Sequence, residues 1–242
     1  MSDDPAQART AAEGSGWDAL RREVVRDAAA VGVAVGTYGV SYGALGTTSG
    51  LSVVQTCALS VLAFTGGSQF ALVGVLGAGG SAVTGTATAL MLGFRNSLYG
   101  LRLAPTLQVR GLRRLLAAHL VIDETTAMTL AQPVERAGRL AFWATGLAVF
   151  SLWNVATLVG ALGATALGDP KRFGLDAAVG AAFLGLLWPR LKGRAAWVVC
   201  LGAAAVALAL TPLLSPGLPV LAAGLVAVAV GVPRPGAALG PG

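Results

Sequence analysis

Charge is scarce in this chain and unevenly placed. Only 12% of its 242 residues are Asp, Glu, Lys or Arg, about half the ~25% of a soluble domain. Residues 28–94, 140–168 and 195–233 contain none at all. Histidine occurs once, at His119, and cysteine twice, at Cys57 and Cys200, both inside apolar runs. That leaves no metal-ligand or redox spacing and no disulfide framework, and both cysteines read as small packing residues. A P-loop, an aspartate-rich magnesium motif and a glycine-rich nucleotide turn after a strand are also missing. Gly67-Ser68-Gln69 is not the Gly-x-Ser-Gly nucleophile of an intramembrane serine protease. His119 and Asp123 are one residue too close for the H-x4-D acyltransferase pattern. These absences argue against an enzyme, a resident metal or a cofactor.

What is present is apolar. Hydrophobic residues make up 55% of the chain and mean hydropathy is +0.72. A helix needs about 20 apolar residues to cross a bilayer, and the charge-free runs have room for several. The expected fold is all-α: a polytopic membrane bundle of about seven spans with discontinuous or re-entrant helices. The +6 charge and pI of 10.1 fit basic loops retained on the cytoplasmic side better than a nucleic-acid surface.

Residues 1–27 read as a cytoplasmic tail, with the first dozen disordered and a short interfacial helix after Ser15. Trp17, Leu20 and Val24 share its face, and Arg21, Arg22 and Arg26 keep it inside. Residues 28–232 form the transmembrane domain, and 233–242 a cytoplasmic tail. Loops at Arg110–Arg114, Arg136–Arg139 and Arg190–Arg194 also read as cytoplasmic, and 115–131 as a short or re-entrant helix. A turn at Asp169–Arg172 precedes a span at about 173–189, followed by spans at 195–213 and 218–232. Trp143, Trp153, Trp188 and Trp197 read mostly as interfacial anchors. Asn154 either lines a pathway or bonds between helices.

The first span carries Gly32, Gly36, Gly39, Gly43 and Gly46 at spacings of four and three. They form one stripe, which serves close helix packing or a sliding face. Further on, Leu51–Phe64 is too short to cross. Thr65-Gly66-Gly67-Ser68-Gln69 interrupts it, and Gly79-Gly80-Ser81 makes a second break. Exposed backbone at membrane depth is tolerated only inside protein or beside a water-filled cavity.

Three segments carry a family resemblance: Leu62–Ala71, Phe94–Pro105 and Val121–Thr125. In this order and spacing they resemble the AzlC family, the large subunit of branched-chain amino-acid permeases or exporters. One motif departs: the family often reads Asn-x-Arg ahead of Leu-Tyr, and Gly93 holds the Asn position here. The resemblance implies a secondary transporter of the inner membrane that expels branched-chain or other apolar amino acids; the arginine loops separately place both termini on the cytoplasmic side. It also implies a small AzlD-type membrane subunit as partner. A non-transporting subunit or a channel-like passage is the alternative, and oligomerisation is open.

The residues fit an amino-acid carrier. Helix N-termini aim N–H groups at a carboxylate, Gly66 and Gly67 admit close approach, and Ser68 and Gln69 add hydrogen-bonding groups. Arg95 ends the longest charge-free run and offers a partner to a substrate carboxylate or to Asp123; the alternative is an arginine snorkelling to the headgroups. The candidate substrate-binding residues are Gly66, Gly67, Ser68, Gln69, Arg95, Asn96 and Tyr99. His119, Asp123 and Glu124 form a candidate proton relay, with His119 expected on the same helix face as Asp123. A plain cytoplasmic helix face is the other reading of that trio.

Overall fold

The computed structural model describes residues 5–167, 184, 187–188 and 191–231. The expected span at 173–189, the turn before it and the tail 233–242 lie essentially outside the described residues. Within them every regular element is a helix and no strand occurs. Helices α1 to α7 are Pro5–Thr48, Val53–Leu62, Gly67–Gly77, Ala82–Leu107, Leu112–His119, Asp123–Leu130 and Glu135–Leu167; α8 is Arg194–Leu210 and α9 is Leu218–Gly231. Two of them, over Gly16–Thr48 and Glu135–Ala166, are long and apolar enough to cross a membrane.

Helix α1 runs unbroken for 44 residues, about 65 Å at 1.5 Å per residue. No proline follows Pro5 until Pro105, so nothing separates residues 15–27 from the span. The expected disordered start and separate interfacial helix are replaced by one continuous helix.

The glycine stripe packs against α7. A Cβ on Gly32 would meet Ala148, on Gly36 Leu152, on Gly39 Trp153 and Ala156, and on Gly43 Thr157 and Ala161. Positions rise together on the two helices, so α1 and α7 run parallel. At Gly43 a Cβ would collide with the Thr157 carbonyl, and at Gly160 with the Val40 carbonyl. Backbone meets backbone there, as small-residue helix pairs do.

Helices α2 and α3 form a hairpin, not one interrupted crossing. Gly77 at the end of α3 returns to the Ser49 side chain just before α2. Gln69 Nε2 donates to the Leu59 carbonyl at 3.0 Å, tying the two arms. Ser52 and Gln55 cap α2 reciprocally, at 3.1 and 2.8 Å. At the tip, Gly66 has φ +57°, which only glycine adopts cheaply. Helix α4 then runs antiparallel to α3, since Gly85 faces Leu72 and Gly93 faces Ser68.

A second hairpin, α5–α6, enters from the opposite end. Gly138 at the start of α7 packs on Thr129 and Thr106, while Gly146 packs on Leu120 and Thr125. Its apolar tip, Leu120–Ile122, is buried. The Thr125 hydroxyl accepts from the Ile122 N–H at 3.0 Å and reaches the Leu120 carbonyl at 2.9 Å. The arms of both hairpins are 8 to 11 residues long, about 12–16 Å. The two tips meet midway: Phe64 and His119 lie 6.1 Å apart, ring to ring.

One end of the bundle is basic. Trp17 stacks under Arg136 at 3.8 Å. Arg139 donates through Nε to the Thr106 carbonyl at 2.8 Å, closing the C-terminal turn of α4. At the other end, the turns at Ser49–Ser52, Ala78–Ser81 and Thr211–Gly217 carry no charged residue.

Candidate functional site

The two tips and the middle of α4 enclose a cavity of about 240 Å³. Gly66 and Gly67 line it from the first hairpin, Arg95 from α4, and Asp123 and Glu124 from the second hairpin. Apolar walls come from Val35, Phe64, Phe70, Val149 and Trp153. Behind them Tyr42 stacks on Trp153 at 5.9 Å and meets the Phe70 edge at 5.8 Å.

Two helix N-termini face this space, and their first turns differ. Helix α6 opens on Asp123 and Glu124, which offset the positive end of its own dipole. Helix α3 opens on Gly67, Ser68 and Gln69, with no acid and no side-chain cap. Its first N–H groups lack a partner within the helix. A Cβ on Gly67 would sit 3.3 Å from the Arg95 guanidinium, so the arginine lies against this uncapped turn. Anion-seeking groups thus gather at α3, and carboxylates at α6.

Arg95 Nη2 lies 2.8 Å from Asp123 Oδ2. Of the two partners left open by the sequence, the structure shows Asp123. Snorkelling is corrected: Arg95 points into the protein, with 29% of its side chain exposed. Several polar atoms around the cavity are buried without a hydrogen-bond partner among the described residues: Ser68 Oγ, Gln69 Oε1, Arg95 Nε and Trp153 Nε1. Buried polar atoms are nearly always satisfied by protein, water or ligand.

The structure therefore brings together Gly66, Gly67, Arg95, Asp123 and Glu124, with Ser68 and Gln69 directly behind. It does not bring Asn96 and Tyr99 to this cavity. Asn96 is one residue round the helix from Arg95 and lines a separate groove between α4 and α5. Tyr99 packs against the core. The expected face shared by His119 and Asp123 is also corrected. His119 ends α5 and Asp123 begins α6, and the tip between them breaks the four-residue spacing. The His119 ring instead meets Phe64 and Phe150, the latter at 5.7 Å.

Trp153, one of four tryptophans read mostly as interfacial anchors, is not one: it is 3% exposed and walls the cavity. Its place midway along α7 was the available signal. Asn154 donates to the Phe150 carbonyl of its own helix at 2.8 Å, and among the described residues it makes no bond to another helix. Cys57 and Cys200 are free and half-buried. No cluster of His, Cys, Asp and Glu able to hold a metal occurs among the described residues.

A family model described as AzlC protein matches residues 30–167, more than half the chain and all of the cavity's walls but one. No curated protein and no solved structure matches. The chain belongs to the AzlC family, a family tied to branched-chain amino-acid transport.

Proposed function

We propose that this AzlC-family chain is a secondary transporter that exports branched-chain or other apolar amino acids across the inner membrane. One observation carries the reading. An uncapped helix N-terminus beside Arg95 faces an acidic one across a small, apolar-walled cavity. A carboxylate suits the first side, an ammonium the second, and a branched side chain the walls between.

In the bilayer, α1, α4 and α7 cross, and α8 and α9 complete the described spans. Each hairpin reaches about half of the ~30 Å hydrocarbon core and carries its irregular tip inside protein. The basic end faces the cytoplasm, which puts the N-terminus inside. An AzlD-type subunit is the expected partner.

Leucine efflux from proteoliposomes tests this. Ser68→Ala and Arg95→Gln should each weaken apparent affinity about ten- to a hundredfold. That is the equivalent of ~1.5–3 kcal/mol for one hydrogen bond to a charged group. Lys192→Gln, in an exposed linker, should change little. Unchanged affinity in both site variants moves the substrate elsewhere. Passive, non-saturating flux favours a channel.

A further inference from the structure

Four glycines disclose a repeat. Gly85 and Gly93 of α4 lie against Leu72 and Ser68 of α3, and Gly138 and Gly146 of α7 lie against Thr129 and Thr125 of α6. From one set to the other the glycines advance by 53 positions, 85 to 138 and 93 to 146, and their partners by 57, 72 to 129 and 68 to 125. A hairpin and the helix that follows it are therefore built twice on one plan, over residues 53–107 and 112–167. The first hairpin enters from the charge-free end and the second from the basic end, so the two units run in opposite senses. Secondary transporters are often built from such inverted repeats, with the substrate held where the halves meet. The cavity lies at that meeting point.

One pair of seams breaks the symmetry. The first arm of the first hairpin, α2, is seated on α7: Ser60 Oγ donates to Thr157 Oγ1 at 3.2 Å, and both residues are fully buried. The same displacements carry Ser60 forward to Ala117 on α5 and Thr157 back to Ala104 on α4. Those two alanines line a groove of about 600 Å³ between α4 and α5, with Gly100 and Ala118 beside them. Ala104 is exposed where Thr157 is buried, and a Cβ on Gly100 would meet nothing within 4 Å among the described residues. One seam is shut and its equivalent stands open. The open seam is faced with small residues, which let helices come close together. It starts beside Arg114 near the basic end and reaches Asn96 and Val121. Each of these is next in sequence to a residue of the cavity wall, Arg95 and Ile122.

We infer that the two seams exchange during transport. In the form described, α2 is shut on α7 and the cavity is approached along the open groove from the basic end. In the opposite form α5 closes on α4, α2 leaves α7, and the approach moves to the charge-free end. Each form keeps one seam shut and one open, so the exchange gives up little packing. The inference rests on the transporter reading above and adds to it the seams that carry the alternation.

The test uses two cysteine locks, with Cys57 and Cys200 replaced by alanine. Ser60→Cys/Thr157→Cys holds the shut seam, and Ala104→Cys/Ala117→Cys closes the open one. Leu92→Cys, on the cavity wall, reports access to an impermeant maleimide in membrane vesicles of both orientations. Without a lock it should react from both ends of the bundle. After oxidation of the first pair it should react from the basic end alone. After oxidation of the second pair it should react from the charge-free end alone. Either lock should abolish leucine transport, and reduction should restore it.

If the second pair never joins in protein that transports leucine, or if the reporter keeps the same side under both locks, the exchange is overturned while leucine transport stands on its own assay. If the reporter changes sides yet the unlocked protein moves no leucine, the exchange holds and the leucine reading fails. Should a paired variant not fold, Gly100→Leu carries the test. The open groove has room for the new side chain and leucine suits a helix better than glycine, so the melting temperature should hold. The same side chain bars α5 from α4, so the reporter should react from the basic end alone. Reaction from both ends in Gly100→Leu overturns the exchange.

Discussion

Phe64 and His119 sit ring to ring at 6.1 Å, each beside the tip of a hairpin that enters from the opposite end of the bundle. Neither hairpin crosses alone, and the cavity opens where their tips meet. If the carrier alternates its access, these tips must part in each cycle. A Phe64→Cys/His119→Cys pair, with Cys57 and Cys200 replaced by alanine, should be joined by a short thiol cross-linker. Joining should abolish leucine transport, and reduction should restore it. Undiminished transport by the cross-linked protein would show that the tips stay together.

How much of this was legible in the sequence varies from residue to residue. The stripe from Gly32 to Gly46 is a local signal, and it holds as a closely packed helix face, against α7 from Gly32 to Gly43 and against α2 at Gly46. The glycines at 66 and 67 mark the first break correctly. Whether the chain then continues or reverses is decided by Gly77 returning to Ser49, which no local pattern reveals. The second tip is harder still. Leu120, Val121 and Ile122 include neither glycine nor proline, so His119 and Asp123 look like neighbours on one helix. Thr125 pins that turn through its hydroxyl, and threonine in a helix carries many readings. The parallel course of α1 and α7 follows from pairing of residues more than a hundred positions apart, beyond the reach of any periodicity.

The α1–α7 pair makes a prediction about stability. Gly43→Ala puts a methyl group against the Thr157 carbonyl, where both sides are helix backbone. Forced overpacking costs about 1–3 kcal/mol, so the melting temperature in detergent and the abundance in membranes should both fall. Gly163 lies on the same α7 with nothing within 4 Å of its Cβ position. Gly163→Ala should be neutral or slightly stabilising, because alanine holds a helix better than glycine by up to ~1 kcal/mol. Equal effects at the two positions would mean the helices are further apart than the structure places them.

Charge segregation makes a prediction about orientation. Arg110 follows α4 at the basic end, and Ser215 lies in the turn between α8 and α9 at the charge-free end. In a background without Cys57 and Cys200, Ser215→Cys should react with a membrane-impermeant thiol reagent applied to intact cells. Arg110→Cys should react only after the membrane is opened. Labelling of both from outside would contradict the retention of arginine on the cytoplasmic side.

The second hairpin's tip supplies the last prediction, because two adjacent threonines there do different work. The Thr125 side chain is fully buried. Its hydroxyl accepts from the Ile122 N–H and also reaches the Leu120 carbonyl. Thr126 donates to the Ile122 carbonyl at 2.8 Å, but that carbonyl already accepts the Thr126 backbone N–H at 3.1 Å. Valine keeps the shape of threonine and removes only the hydroxyl. Thr125→Val therefore strands a buried N–H, at a cost of about 1–3 kcal/mol, while Thr126→Val strands nothing. The expected result is a clear fall in melting temperature for Thr125→Val and a small one for Thr126→Val. Leucine affinity should follow the same order, since Asp123 begins its helix directly after this turn and a loosened tip moves the carboxylate away from Arg95. Comparable melting and affinity changes in both variants would show that the Thr125 hydroxyl does not set the tip.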